Sequence, residues 1–280
     1  MAGPDLHIHS TASDGTLTPR DIVQRAASLG LPAIAITDHD TVAGVAAARD
    51  AALAYGLRVI PAVELSAGVG DRGVHVLGFF IDPTDPIFER RLAALRSVRL
   101  ERAERIVASL RDAGHGVSLH DVLDAAGGGA VGRAHVAHVL VSAGIASSVG
   151  DAFNRMLGKG RPHYVAKPLA DVAEVVGWMA EAGGIAVVAH PSLSRIDDLL
   201  PQLIAAGIAG IEAHHGSHDV ATRTRYARLA SENGLIVTGG SDFHGDDAEG
   251  GPLGSAAVPP EVLDALVERH ARAEALRSRS

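Results

Sequence analysis

Two histidines two residues apart, His7 and His9, and an aspartate and a histidine with the same spacing, Asp242 and His244, are where the chain first points to chemistry. Each pair sits at the end of an apolar run that reads as a strand, and the two-residue period of a strand turns both members of a pair to one face. Imidazole and carboxylate presented together are metal ligands. Singly, such a pair could be an ordinary surface or core feature. Other candidates fall at similar places. Asp38 and His39 directly follow a second apolar run in ITDHDT, so His39 is read as a ligand and Asp38 as the carboxylate that supports it in the catalytic set. Asp14 stands in a Ser-Asp-Gly turn, a place aspartate takes for its own backbone reasons. Glu64 interrupts the apolar stretch AVEL, where an ionised carboxylate is very costly to bury without a cation. His190 closes AVVAH just before Pro191.

The elements that position these residues follow from punctuation and periodicity. Strands are predicted over residues 5–9, 31–37, 58–65, 74–81, 184–190, 208–214 and 235–242, with helices between most of them. Thr18-Pro19 supplies an N-cap and an N1 proline for the first helix, and Thr41 is predicted to cap the second. Residues 67–73 are too few for a crossover helix and are read as a hairpin loop, which makes the fourth strand antiparallel to the third and brings His75 beside Glu64. The rest of the rhythm is βα, so the fold class is α/β with a barrel or barrel-like sheet of seven strands. Between residues 84 and 170 no strand is evident. Helices are predicted at 86–113, 118–126, 133–143 and 148–157, which gives a helical insertion (84–170) in a barrel made of residues 1–83 and 171–280. The tail RAEALRSRS reads as a frayed helix end. On this plan His7, His9, Asp14, His39, Glu64, His75, His190, Asp242 and His244 all project from the carboxyl ends of one sheet's strands, the active-site end of a barrel.

Composition narrows the chemistry. The 280 residues contain no Cys, so any metal must be held by imidazole and carboxylate, and 15 His outnumber Phe 5, Tyr 3 and Trp 1 together. Nine such ligands exceed what one ion uses and suit Zn, Mn or Fe better than Ca or Mg. The formal net charge of −8 excludes a broad basic surface for extended duplex nucleic acid. No apolar run reaches membrane-spanning length, and MAGPDLHIHS lacks a basic and an apolar leader region, so a cytoplasmic protein is expected, with no membrane and no protein partner evident.

The succession DLHIHS, SDG, ITDHD, VEL, VHVLGFF, AHP and GGSDFHG, from Asp5 to about Gly254, resembles the PHP (polymerase and histidinol phosphatase) family of metal-dependent phosphoesterases. Within it the chain is most similar to the branch of nucleoside 3',5'-bisphosphate phosphatases that also act as 5'→3' oligoribonucleases. GRAHVA and GKGRPHYV in the insertion resemble that branch more loosely. The resemblance implies a distorted seven-stranded (β/α)7 PHP barrel and a trinuclear centre. It implies one ion on His7, His9, Glu64 and Asp242, a second sharing Glu64 with His75 and His190, and a third on Asp14, His39 and His244. The expected cofactor is two or three divalent ions, manganese first, with iron or zinc as alternatives.

The expected reaction is hydrolysis of a small phosphorylated nucleotide or short 5'-phosphorylated RNA, by attack of a metal-activated hydroxide on phosphorus. A proton for the leaving oxygen is assigned first to His215 in EAHHGSH, with His214 and His218 competing. Arg133, His135 and Lys167, in or beside the insertion, are candidates to hold a second phosphate, and His218 is a further candidate for substrate contact. Two other functions are compatible with the same residues: a phosphomonoesterase for another metabolite such as histidinol phosphate, and a metal-binding accessory module without turnover.

Overall fold

The computed structural model describes residues 3–246 and 250–278. Its strands are β1 (Asp5–Ile8), β2 (Ala33–Ile36), β3 (Arg58–Val69), β4 (Arg72–Phe79), β5 (Ala170–Asp171), β6 (Ile185–Val188), β7 (Gly210–His215) and β8 (Ile236–Gly240). Seven of them follow one another in the sheet in the order β1-β2-β3-β4-β6-β7-β8, and the two-residue β5 is appended to β3. A parallel bridge between Ile8 and Phe243 and the bonds His9 N–H to Phe243 O (2.9 Å) and Asp242 N–H to His7 O (2.9 Å) bring the two outer strands together, so the sheet is a nearly closed barrel. Closure needs Gly240: a Cβ there would lie 2.4 Å from the backbone nitrogen of His7.

The helices are α1 (Pro19–Ser28), α2 (Ala43–Ala52), α3 (Pro86–Asp112), α4 (Leu119–Ala126), α5 (Arg133–Ser142), α6 (Val149–Ala152), α7 (Val172–Glu181), α8 (Pro191–Ser194), α9 (Leu200–Ala205), α10 (Val220–Glu232) and α11 (Pro260–Arg277). Their starts are written locally. Thr18 caps α1 by accepting from Asp21 N–H, Asp85 caps α3, and Asp171 and Glu174 form a capping box on α7. None of the described helices is long and apolar enough to cross a membrane.

Several boundaries differ from expectation for identifiable reasons. The hairpin loop expected over residues 67–73 shrinks to Gly70 and Asp71, because β3 and β4 stay paired from Ala62–Phe79 out to Val69–Arg72. Thr41 does not occupy the cap position of α2. Val42 does, while the Thr41 hydroxyl accepts from Ala43 N–H at 3.2 Å. The helix expected over 148–157 continues past α6 as a π turn, Phe153–Leu157. The helix expected to run to Ala206 is broken at Arg195, which takes φ +51. The tail is helical to Arg277, and its last two residues lie outside the described set.

Packing divides the apolar residues into clusters. One gathers Leu6, Ala62, Leu77, Phe79 and Val187 from the barrel strands with Val258 and Leu266. Another belongs wholly to residues 103–157, with Ile106, Leu110, Val122, Val136, Leu140 and Leu157 in mutual contact. Each such side chain taken from water contributes about 1.5–3 kcal/mol. The segment from α3 to the π turn therefore has a core of its own, and it stands over one end of the barrel.

Candidate metal centre

At that end the side chains converge. His7 and His9 leave β1 on the same face, with Nε2 atoms 3.1 Å apart. Both Nε2 atoms meet Asp242 Oδ1, at 3.1 and 3.2 Å, and Glu64 Oε2 lies 3.5 and 3.2 Å from them. Glu64 is central: its Oε2 is 3.1 Å from His39 Nδ1, and its Oε1 is 2.9 Å from His75 Nδ1 and 3.0 Å from His190 Nε2. Beside this, Asp14 stands 3.5 Å from His244 Nε2, 3.7 Å from His9 Nδ1 and 3.8 Å from His39 Nε2. All nine residues singled out as ligands are in one cluster.

The backbone is bent to achieve this. Five non-glycine residues among those described have positive φ, and Asp40 (53°), His190 (26°) and Asp242 (54°) are three of them. Left-handed backbone is sparsely populated by such residues and persists where the surroundings impose it, as at ligand clamps. Phe243, between Asp242 and His244, is fully buried in the core, so the two flanking side chains turn the other way. Gly15 lets the turn carrying Asp14 close, since a Cβ would lie 2.4 Å from His9 O.

The arrangement fits divalent cations. His7 Nδ1 is engaged by Glu212 Oε1 at 2.9 Å, so in the neutral ring Nε2 is an acceptor, and it faces two further acceptors on Asp242 and Glu64. Acceptors pointed at one another need a proton or a metal cation between them, and the charges of Glu212, Asp242 and Glu64 favour positive charge at His7. Asp14 Oδ1, His39 Nδ1 and His190 Nδ1 are buried without a hydrogen-bond partner. Burial pushes the Glu64, Asp242 and Asp14 carboxyls up, but the imidazoles around them, led by His39 for Glu64 and Asp14 and by His7 for Asp242, hold all three well below the usual range. They are carboxylates at neutral pH. Four groups have ligand atoms within 4.8 Å of one another: His9, Asp14, His39 and His244; His7, His9 and Glu64; His39, Glu64 and His75; and His7, His215 and Asp242.

A cavity of about 320 Å3 opens over the cluster. Its floor is Asp14, His39, Glu64, His75, His190, Asp242 and His244, and its opposite wall is cationic: Arg99 and Arg102 from α3, Arg133 at the start of α5, and Lys167. Asp40 holds two of these cations directly, and the charges of Asp14 and Glu64 also act on Arg99. Asp40 Oδ2 accepts from Arg99 Nε and from Lys167 Nζ (2.9 Å). Arg102 Nε donates to Val165 O at 2.7 Å, and burial first, then the charge of Arg133, push its pKa down to about 10. Two neighbouring guanidiniums in a half-buried wall gain when an anion joins them.

Four expected site residues fall elsewhere. Asp38 does not reach the cavity, because its oxygens accept from Ser10 N–H (2.7 Å), Ser10 Oγ (2.6 Å) and Ser13 Oγ (2.7 Å) and so shape the turn that carries Asp14. His135, expected on the phosphate clamp, turns back at the start of α5 and accepts from Gly132 N–H at 2.9 Å, on the buried side of the helix. His138, from the same helix, lines the cavity instead. His218 is buried with Nδ1 against Ala213 O (2.9 Å) and its ring on Tyr226, away from the cavity wall. His215 lies behind Asp242: its Nδ1 accepts from Ser217 N–H at 3.1 Å, which puts the proton of the neutral ring on Nε2, 3.3 Å from Asp242 Oδ2. It braces Asp242 and is not on the cavity wall. Arg133 and Lys167 are on it. Sequence reasoning missed Arg99, Arg102, His138 and Glu212. The three-residue spacing of Arg96, Arg99 and Arg102 on one face of a long helix was the available signal.

Residues 5–108 match the family described as PHP domain. Over 272 residues the chain is 37% identical to the 3',5'-nucleoside bisphosphate phosphatase of Chromobacterium violaceum, covering 94% of each sequence. It is 37% identical over 250 residues to the 5'-3' exoribonuclease Rnm of Escherichia coli, covering 86% of this chain and 84% of the other. Among solved structures, a candidate metal-dependent phosphoesterase of Bifidobacterium adolescentis is similar with a TM-score of 0.89 and 34% identity over 96% of both chains.

Proposed function

The chain belongs to the PHP family of metal-dependent phosphoester hydrolases, and from that premise we propose that it removes the 3'-phosphate from nucleoside 3',5'-bisphosphates and trims short 5'-phosphorylated RNA. The observation that carries the reading is that one cavity has two unlike sides. A carboxylate and imidazole floor that fits cations faces a wall of Arg99, Arg102, Arg133 and Lys167. A substrate with one phosphate would leave the wall unused. A substrate with phosphates at both ends of a ribose occupies both.

His7, His9, Glu64 and Asp242, then Glu64 with His75 and His190, then Asp14, His39 and His244 would hold two or three divalent ions, manganese first. When bound, such ions supply a water that is acidic near neutral pH and neutralise charge developing on the transferring phosphoryl group. The chain's own contribution is orientation. Arg102 and Arg133 would hold the second phosphate, fixing the distance from it to the scissile one, and bound geometry of this kind accounts for a large part of phosphoryl-transfer catalysis. Residues 84–170 act in this account as the substrate-binding unit and the barrel as the metal-binding unit. Free of cysteine, the enzyme would work in a reducing cytoplasm.

The test is a phosphate-release assay on the manganese-loaded protein with adenosine 3',5'-bisphosphate, adenosine 3'-monophosphate, histidinol phosphate and short 5'-phosphorylated RNA. The bisphosphate should have the highest kcat/KM among the small molecules. Arg102→Ala or Arg133→Ala should raise KM for the bisphosphate by about 10- to 100-fold, as loss of a charged hydrogen bond predicts, and leave the 3'-monophosphate nearly unchanged. Equal losses on both substrates, or histidinol phosphate as the preferred one, would refute the two-anion reading.

A further inference from the structure

Glu212 belongs to none of the four ligand groups and does not line the cavity, yet it has no exposed surface. A buried carboxylate needs partners, and this one has two. Its Oε1 is 2.9 Å from His7 Nδ1, and its Oε2 accepts the backbone N–H of His190 at 2.7 Å. It thereby joins β1 and the end of β6 from β7, the strand between β6 and β8. We propose that Glu212 is the positioning residue of the centre: it fixes the ring of His7 with the proton on Nδ1, leaving Nε2 free to bind metal, and it tethers His190 at the same time.

An ionised carboxylate only accepts, so the nitrogen facing it must carry the proton. Histidines that bind metal commonly donate their other N–H to such a carboxylate, which fixes the tautomer and the ring orientation. Here the tether also holds a strained residue, since His190 has φ +26. The register of β7 serves the same end. Glu212 pairs with Thr238 and His214 with Gly239, so β7 carries one extra residue at this point. With that bulge Glu212 and His215, three apart, both turn towards the metal-binding residues, and His214 is left part-exposed.

Glutamine cannot take the place of this glutamate, although it has the same shape. Two N–H donors approach two different oxygens, and an amide offers one. If the amide oxygen takes His190 N–H, the amide NH2 faces His7 Nδ1 and drives the proton to Nε2, the atom needed for metal. If it takes His7 instead, His190 loses its tether to a facing donor.

The inference rests on the reading that the centre binds metal, and the two can fail separately. Glu212→Gln, dialysed against Mn2+ and analysed for metal content and affinity, should bind at least one ion about 10- to 100-fold more weakly than wild type. In a His7→Ala background the same change should cost no more than the loss of the His190 tether. Equal affinities for wild type and Glu212→Gln would overturn the proposal. So would an undiminished effect of the substitution without His7. A wild-type protein that took up no Mn2+, Fe2+ or Zn2+ would overturn the metal reading itself. Should the variant not fold, the zinc-loaded wild type decides by its long-range 1H–15N spectra: His7 protonated at Nδ1 and metal-bound at Nε2 is expected, and metal on Nδ1 would overturn the proposal.

Discussion

Asp242→Asn should reduce phosphate release at least about 10^3-fold while leaving the protein folded. The expectation follows from what the carboxylate touches. Its Oδ1 is 3.1 Å from His7 Nε2, 3.2 Å from His9 Nε2 and 3.6 Å from His244 Nδ1, and its Oδ2 is 3.3 Å from His215 Nε2. Loss of the negative charge leaves several nitrogens converging on a place with one carboxylate fewer to attract a cation. Metal ions supply several kcal/mol of transition-state stabilisation, and about 4 kcal/mol is a factor of 10^3 in rate. Asparagine is the informative substitution because residue 242 has φ +54, which Asn tolerates. Asp242→Ala should abolish turnover too, but its strain of about 1–2 kcal/mol would confuse a stability comparison. The measurement is phosphate release from adenosine 3',5'-bisphosphate together with metal content and far-UV circular dichroism. Near wild-type turnover would remove the cluster from the chemistry.

How far such a centre can be read from sequence depends on the local rule each residue obeys. His7, His9, Asp242 and His244 obey strand alternation, which is local, so their common face was legible. The meeting of Glu64 and His75 was legible because a short connection can only be a hairpin, even though the turn proved to be two residues long. β7 was not legible. In GIEAHH every residue but His214 is buried, so apolarity marks no face, and the bulge that turns His215 inward is a property of pairing with β8. For that reason His215, read as the proton donor, is found inside but behind Asp242 and off the cavity wall. Asp38 is placed elsewhere for a different reason. Adjacency to His39 in sequence implied support of that ring, whereas successive residues at a strand end point apart, and Asp38 went to the turn carrying Asp14. The cationic wall was half seen. Arg133 and Lys167 stood out in loops and caps, while Arg99 and Arg102 were hidden among the many charges of α3, whose apolar residues carried the periodic signal.

Asp40→Asn should destabilise the metal-free protein by about 3–5 kcal/mol, the cost of leaving buried charges without their counter-ion. Asp40 follows the ligand His39, has a fully buried side chain, and binds Arg99 of α3 and Lys167 from the end of the helical segment. Its backbone oxygen also accepts from Arg96 Nη1 at 3.1 Å, so one residue at the barrel mouth receives three cations from the segment above it. Burial would raise its pKa, but Arg99 and then Lys167 outweigh burial and hold the carboxyl well below the ordinary range. Asparagine suits the backbone at φ +53, so the change isolates the charge. Its single amide oxygen can keep both hydrogen bonds, as Asp40 Oδ2 does, but brings no negative charge to the two cations. For a chain of this size the loss corresponds to a fall in Tm on the order of 10 °C, read by thermal unfolding in the presence of a chelator. The same variant should raise KM for the bisphosphate, because Arg99 and Lys167 lose the charge that orients them along the wall. A Tm within about 2 °C of wild type would mean that the helical segment is held over the barrel by its apolar contacts alone, with Asp40 a bystander.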